Sequence, residues 1–422
     1  MFIYLIVFIV LFSTAAEAGE TGAALAGQGE LLRVVIVSRP GVHAPAVSPE
    51  TLAKWTVSEW PDFEVPPGHL TPRGGELMRL MGTYYRDYLA AQGLFARNGC
   101  PAATHVHWRA DNEPRGRASA ERMREGFAPG CDLPLHTMSA RRDPLFHPVE
   151  AGICRFDIEA ARAAVMARVG GDFATLEKSS RETMHALQDI LRCCTPKLCD
   201  KSFGGPGGPC TLPRLPTRLK VEPARVTLTG GMALASSFAE ILLLEYGNGF
   251  RGRDFGFGRA DPAKMREALV LHALALDIVQ ATPYIARRQG SMLLDRLIRA
   301  LTAAANEARF IAYLGHEANL VHLAAMLGAS WQQPGHSRNQ TLPGGALAFE
   351  LWRDRDGGLG VHAFHVAQSL KQLGTAEALD GAHPPQRSAL RLPCSRAAAG
   401  HSCRLEDFGA LVRSALVPQC VR

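Results

Sequence analysis

Three stretches of the chain repeat one order of hydrophobic and polar positions: an apolar run of β-type residues, a polar turn, then apolar residues at helical spacing. The first run is Leu32 to Val37, followed by the loop at Arg39. The second is Thr104 to Ala110, followed by Asp111-Asn112-Glu113-Pro114-Arg115-Gly116-Arg117. The third is Arg309 to Leu314, followed by Gly315-His316-Glu317 and the helix-like Ala318 to Leu327. Runs apolar on both faces and joined by helical connections predict an α/β domain, a central mixed sheet flanked by helices. In such sheets the ligand crevice lies beyond the carboxyl ends of the strands, so the three polar turns are expected to face one site.

Between the second and third runs the pattern changes to helical periodicity. Asp157 to Arg168, Lys178 to Cys193 and Gly231 to Gly247 space their apolar residues as helices do. The Gly/Pro stretch Gly204 to Pro209, bracketed by Cys199 and Cys210, reads as a surface loop. The expected organisation is an α/β domain made of residues 30–155 and 280–422, with a smaller all-helical domain, 156–279, inserted into it.

The first apolar run, Phe2 to Phe12, has a different meaning. It is too short to span a bilayer, which takes about 20 residues, and Ala16-Glu17-Ala18 after it has the small-x-small pattern of a signal-peptidase site. Residues 1–18 therefore read as a signal peptide, and the protein as periplasmic or secreted. Ten cysteines in an exported chain predict disulfides. No later stretch reads as a membrane span. The net charge of +6 comes from basic residues scattered along the chain, which argues against nucleic acid and is compatible with a small anionic ligand. The protein is expected to act as a monomer.

The candidate chemistry lies in the three turns. Arg39-Pro40-Gly41-Val42-His43-Ala44-Pro45 resembles R-H-G-x-R-x-P, the signature of the histidine acid phosphatases, with Pro40 in place of the nucleophilic histidine and His43 in place of the second arginine. Gly315-His316-Glu317-Ala318-Asn319 resembles the family's second signature, usually His-Asp. Leu70 to Leu77, Asp143 to Phe146, Leu228-Thr229-Gly230 with Glu240, and Pro343-Gly344-Gly345 extend the likeness to the bacterial periplasmic phytase and glucose-1-phosphatase branch of the histidine phosphatase superfamily.

The resemblance implies phosphomonoester hydrolysis without metal or organic cofactor, on a small phosphorylated substrate. Arg39, His43 and Arg115 would bind the phosphate, with Arg117 as an auxiliary cation, because planar guanidinium groups suit its oxygens. His316 would stabilise the transition state and Glu317 would protonate the leaving group. It also implies the disulfides Cys100–Cys131, Cys154–Cys420, Cys199–Cys210 and Cys394–Cys403, and leaves Cys193 and Cys194 outside the framework. Proline has no side-chain lone pair, so Pro40 cannot attack phosphorus. Severely reduced turnover is expected, with a non-catalytic phosphate-ester-binding protein as the alternative. His43 could itself attack only from a position displaced along the loop, away from the in-line geometry. Ala46-Val47 replaces the Thr-Lys pair that often follows the motif in phytases, against a preference for phytate.

Overall fold

The computed structural model describes residues 29–139, 142–202, 210–396 and 401–421. The segment read as a signal peptide, residues 1–18, and the stretch read as a Gly/Pro surface loop, Gly204 to Pro209, lie outside them. The strands are β1 (Gly29–Ser38), β2 (Val106–Ala110), β3 (Leu135–His136), β4 (Arg218–Glu222), β5 (Arg225–Thr229), β6 (Phe310–Leu314), β7 (Ala346–Asp354), β8 (Leu359–Ala367), β9 (Gln386–Ala389) and β10 (Cys403–Arg404). Eight of them form one sheet in the order β10-β8-β7-β1-β6-β2-β3, with β9 also paired to β8. The sheet is mixed: β1, β6, β2 and β3 run parallel, whereas β7 is antiparallel to β1 and β8 to β7.

The register places the site. Ser38 of β1 pairs with Leu314 of β6, and Leu314 pairs in turn with Ala110 of β2. The three apolar runs thus end level with one another, and the three turns leave the same edge of the sheet.

Alternation along β1 divides the core. Val35 and Val37 pack with Leu293, Leu294 and Leu297 of the helix Pro283–Leu301, Leu320 and Leu323 of Glu317–Leu327, and Phe408 of Leu405–Ala415. Val34 and Ile36 face the other way, onto Met78 and Met81 of Pro72–Ala91 and Met123 and Phe127 of Pro114–Phe127. Pro72 and Pro114 each occupy a helix's first turn, where a missing N–H costs nothing.

The segment expected to be helical contains the helices Ile158–Arg168, Ala174–Leu191, Pro196–Ser202, Gly231–Gly247 and Pro262–Val279. It also carries the hairpin β4–β5, which the helical reading had not foreseen. Its core is built from Val165, Leu187, Phe238, Leu242 and Leu269, and it takes in Val42 and Ala44 of the Arg39 loop. The loop therefore sits where sheet and helices meet.

All four disulfides implied by the resemblance are formed. Cys193 and Cys194, expected to lie outside the framework, are bonded to each other across a cis peptide.

One core carboxyl is under-supported. Glu245 is fully buried, its Oε2 accepts from Gly256 N at 2.8 Å, and its Oε1 has no partner among the described residues. Burial pushes this carboxyl up to about 8. Between the ordinary carboxylate value and about 8 the native state holds a proton that the unfolded chain has released, so the group's contribution to stability falls as pH rises through that window. Glu245→Gln keeps the acceptor for Gly256 and removes the ionisation. It is expected to raise Tm at pH 8 and to change it little at pH 4. Equal shifts at the two pH values in thermal melts would refute this.

Candidate active site

The Arg39 loop is held by its backbone. Arg39 N donates to Gly345 O at 3.0 Å, Pro40 O accepts from Gly344 N at 2.9 Å, and Val42 O accepts from Thr71 N at 3.1 Å. Gly41 N donates to the Ser119 hydroxyl at 3.0 Å, tying the loop to the helix after β2. Thr71 caps the helix Pro72–Ala91, which approaches the loop so closely that a Cβ on Gly74 would lie 1.9 Å from Val42 O. Glycine at 74 is a requirement of this contact.

The structure brings the predicted residues of the three turns together. The Arg39 guanidinium is buried; Nη1 donates to Glu317 Oε1 at 2.6 Å and Nη2 to Glu240 Oε1 at 2.9 Å. Its Nε is buried with no partner among the described residues. Arg115 Nη2 lies 3.4 Å from His316 Nδ1 and 2.6 Å from Glu113 Oε2. Both cations are thus held by carboxylates at rest, and an entering anion must displace them. Arg117 does not join the group: it lies half-exposed on its helix, 4.0 Å from Glu121.

His316 and Glu317 stand at the start of the helix Glu317–Leu327, where His316 N donates to Asn319 Oδ1 at 2.8 Å. His316 Nε2 lies 2.6 Å from Asp111 Oδ2. A carboxylate accepts only, so Nε2 carries the proton and Nδ1 presents its lone pair to Arg115. Burial lowers the His316 imidazole below its ordinary value, although the bond to Asp111 opposes this.

Glu317 meets a different environment. Burial alone would favour its neutral form, yet Arg39 and His272 beside it hold the carboxyl well below the usual range. Thr341 Oγ1 also donates to its Oε1. His272 Nε2 is 3.0 Å from Glu317 Oε2, and Nδ1 is 2.9 Å from the Ser236 hydroxyl. Burial works against a charge on His272, but Glu317 raises its pKa nevertheless. The proton of this pair therefore rests on His272.

Pro40, at the position the resemblance assigns to the nucleophile, is buried in the loop, and its side chain offers no donor or lone pair. His43 pairs back to Leu70, and its Nδ1 donates to Ala44 O at 2.8 Å. Burial, with Arg115 and Arg39 adding to it, drives His43 down to about 4 against the pull of Glu240. At neutral pH it is an uncharged imidazole, in place of the permanent forked cation that an arginine would supply there.

The sequence reading assigned no role to Asp111, His147, His272 or Thr341. His272 sits in a helix of mostly apolar residues, where a single histidine reads as packing, and only the helix's approach to Glu317 distinguishes it.

Buried Arg39 and half-buried Arg115 stand beside a helix-capping histidine and a carboxyl at the carboxyl edge of a mixed sheet, an arrangement able to hold a small anion. The chain belongs to the histidine phosphatase superfamily (branch 2), whose family pattern matches residues 30–367. It is 35% identical to the Escherichia coli phytase AppA over 407 residues, covering 93% of each chain. It is 29% identical to the glucose-1-phosphatase of Salmonella typhimurium, covering 96% of each. The solved structure of Hafnia alvei phytase in its apo form superposes with a TM-score of 0.85 at 33% identity, covering 93% of this chain and 98% of that one. Among the described residues no single helix is long and apolar enough to cross a membrane.

Proposed function

We propose that this chain is an exported histidine acid phosphatase-like protein that binds phosphate esters in the cleft of Arg39, Arg115 and His316 and hydrolyses them very poorly. The observation that carries the reading is the meeting of the three turns around buried Arg39, whose Nε has no partner among the described residues, with no nucleophilic side chain at position 40. Arg39 and Arg115 would take the phosphate oxygens, and His316 would support charge on them. Once the anion draws Arg39 away from Glu317, the carboxylate loses its main neutralising cation and can accept the proton held by His272. Glu317 would then be the donor to the leaving oxygen. This step remains idle while no group attacks phosphorus. The framework of disulfides supports export. The organisation supporting this chemistry is an α/β domain of residues 30–155 and 280–422 with an inserted domain, 156–279.

Calorimetric titration with inorganic phosphate tests the cleft. The unaltered chain is expected to bind saturably, and Arg39→Ala to bind at least about tenfold more weakly, since a charge-assisted forked contact is lost. No binding by the unaltered chain, or equal affinity in the variant, would remove Arg39 from the role.

A further inference from the structure

We propose that Asp111, Glu113, His147 and His316 form a binding site for a divalent transition-metal ion of the zinc type, which would act as an inhibitor of the phosphate cleft. Each residue offers one ligand atom, and the four atoms lie within 4.8 Å of one another. Two imidazoles converge on a single carboxylate oxygen: His316 Nε2 is 2.6 Å and His147 Nε2 is 3.2 Å from Asp111 Oδ2. Their ring centroids are 4.7 Å apart. Nitrogen and oxygen atoms around one Zn²⁺ each stand roughly 2.0–2.2 Å from it, so neighbouring ligands must sit a few ångströms apart, as these do.

Two further features separate this cluster from an ordinary polar network. Asp111 is completely buried, and its second oxygen, Oδ1, has no partner among the described residues, although such atoms normally find one. A metal bound through Oδ1 would resolve that deficit. The cluster also has an access path: Glu113, His147 and His316 line a cavity of about 260 Å³, with room for a water ligand. Both Glu113 oxygens are held by arginines, Oε2 by Arg115 at 2.6 Å and Oε1 by Arg142 at 2.9 Å, so Glu113 joins the ion only by giving up one of these contacts.

The ligand chemistry selects the ion. Two imidazoles with carboxylates suit Zn²⁺, Cu²⁺ or Ni²⁺, whereas Mg²⁺ and Ca²⁺ prefer all-oxygen shells. At rest each Nε2 facing Asp111 carries a hydrogen. Binding replaces those hydrogens by one ion, and a neutral ring then carries its proton on Nδ1. On His316 that atom faces Arg115 at 3.4 Å, so a bound ion sets two donors against each other and withdraws His316 from the cleft.

The test is titration of the tag-free full chain with zinc chloride in phosphate-free buffer, followed by calorimetry, with magnesium chloride in parallel. One saturable zinc site is expected, and no comparable magnesium binding. His147→Gln preserves a donor to Asp111 and the packing while deleting the imidazole. It should weaken zinc binding by at least about tenfold and abolish the zinc-induced rise in Tm seen in the unaltered chain. His383→Gln, which removes an exposed histidine beside Asp380, should leave both unchanged. Co²⁺ should give the visible bands of low-coordinate cobalt in the unaltered chain and not in His147→Gln. Absence of saturable zinc binding, undiminished affinity in His147→Gln, or loss in His383→Gln instead would overturn the assignment.

Discussion

Replacing Pro40→His together with His43→Arg is expected to raise the rate of phosphomonoester hydrolysis at acidic pH by roughly 10⁴-fold or more, the usual scale for restoring a missing nucleophile to an otherwise assembled catalytic unit. The loop should tolerate the change. Its position is fixed by Arg39 N, Pro40 O, Gly41 N and Val42 O, none of which depends on the pyrrolidine ring. The single replacements separate the two losses. Pro40→His alone supplies the attacking imidazole and should recover most of the rate. His43→Arg alone supplies a permanent cation where a neutral imidazole now sits, and should strengthen phosphate binding without producing turnover. A folded double variant that stays inert would show that the cleft is assigned wrongly.

The second large effect concerns stability. Arg387→Met is expected to cost about 3–5 kcal/mol, the range for abandoning one member of a buried ion pair. Arg387 Nη2 donates to Glu350 Oε1 at 2.7 Å, and both side chains are almost wholly buried. The guanidinium stacks over Phe364, with its centre 3.6 Å from the ring centroid. Its Nε and Nη1 have no partners among the described residues. The pair is thus an expensive arrangement, and the penalty arises from stranding Glu350. Tyr88 Oη and Trp352 Nε1, each 3.0 Å from Glu350 Oε2, do not neutralise the carboxylate. Adding Glu350→Gln removes the stranded charge while keeping an acceptor for those donors, so it should recover a good part of the loss. Urea denaturation of the single and double variants measures both. A single variant within 1 kcal/mol of the unaltered chain, a margin well below the usual cost, would contradict the account.

The sheet was legible because its central strands are apolar and buried on both faces. Leu32 to Val37 and Arg309 to Leu314 have almost no polar positions within the strands, whereas in the second run half-buried His107 and Arg109 alternate with buried Val106, Trp108 and Ala110 at the period of a strand; each run is followed by a polar turn. The structure adjusts only their limits: the first two residues of the second run, Thr104 and His105, belong to a 3-10 turn, Ala103–His105, before β2. The helix Gly231–Gly247 has the bounds read from its apolar spacing. The hairpin β4–β5 was missed because its strands are half exposed and carry four basic or acidic residues in ten positions, Arg218, Lys220, Glu222 and Arg225.

In the site, position within a motif was legible and charge state was not. Arg39, Arg115, His316 and Glu317 could be named from the turns. That Arg39 is shared by Glu317 and Glu240, and that His272 supplies Glu317 with a proton-bearing neighbour, depends on contacts across 201 and 45 residues of chain. Local spacing carries no trace of such contacts. The same distance hides the meeting of His147 with His316, two residues that only the folded sheet edge brings to one carboxylate.

The most direct measurement is release of inorganic phosphate when the purified, unaltered chain is incubated with glucose 1-phosphate at a concentration that calorimetry shows to be saturating. The account predicts occupied sites and essentially no phosphate released. Turnover at the rate of a competent acid phosphatase would contradict it.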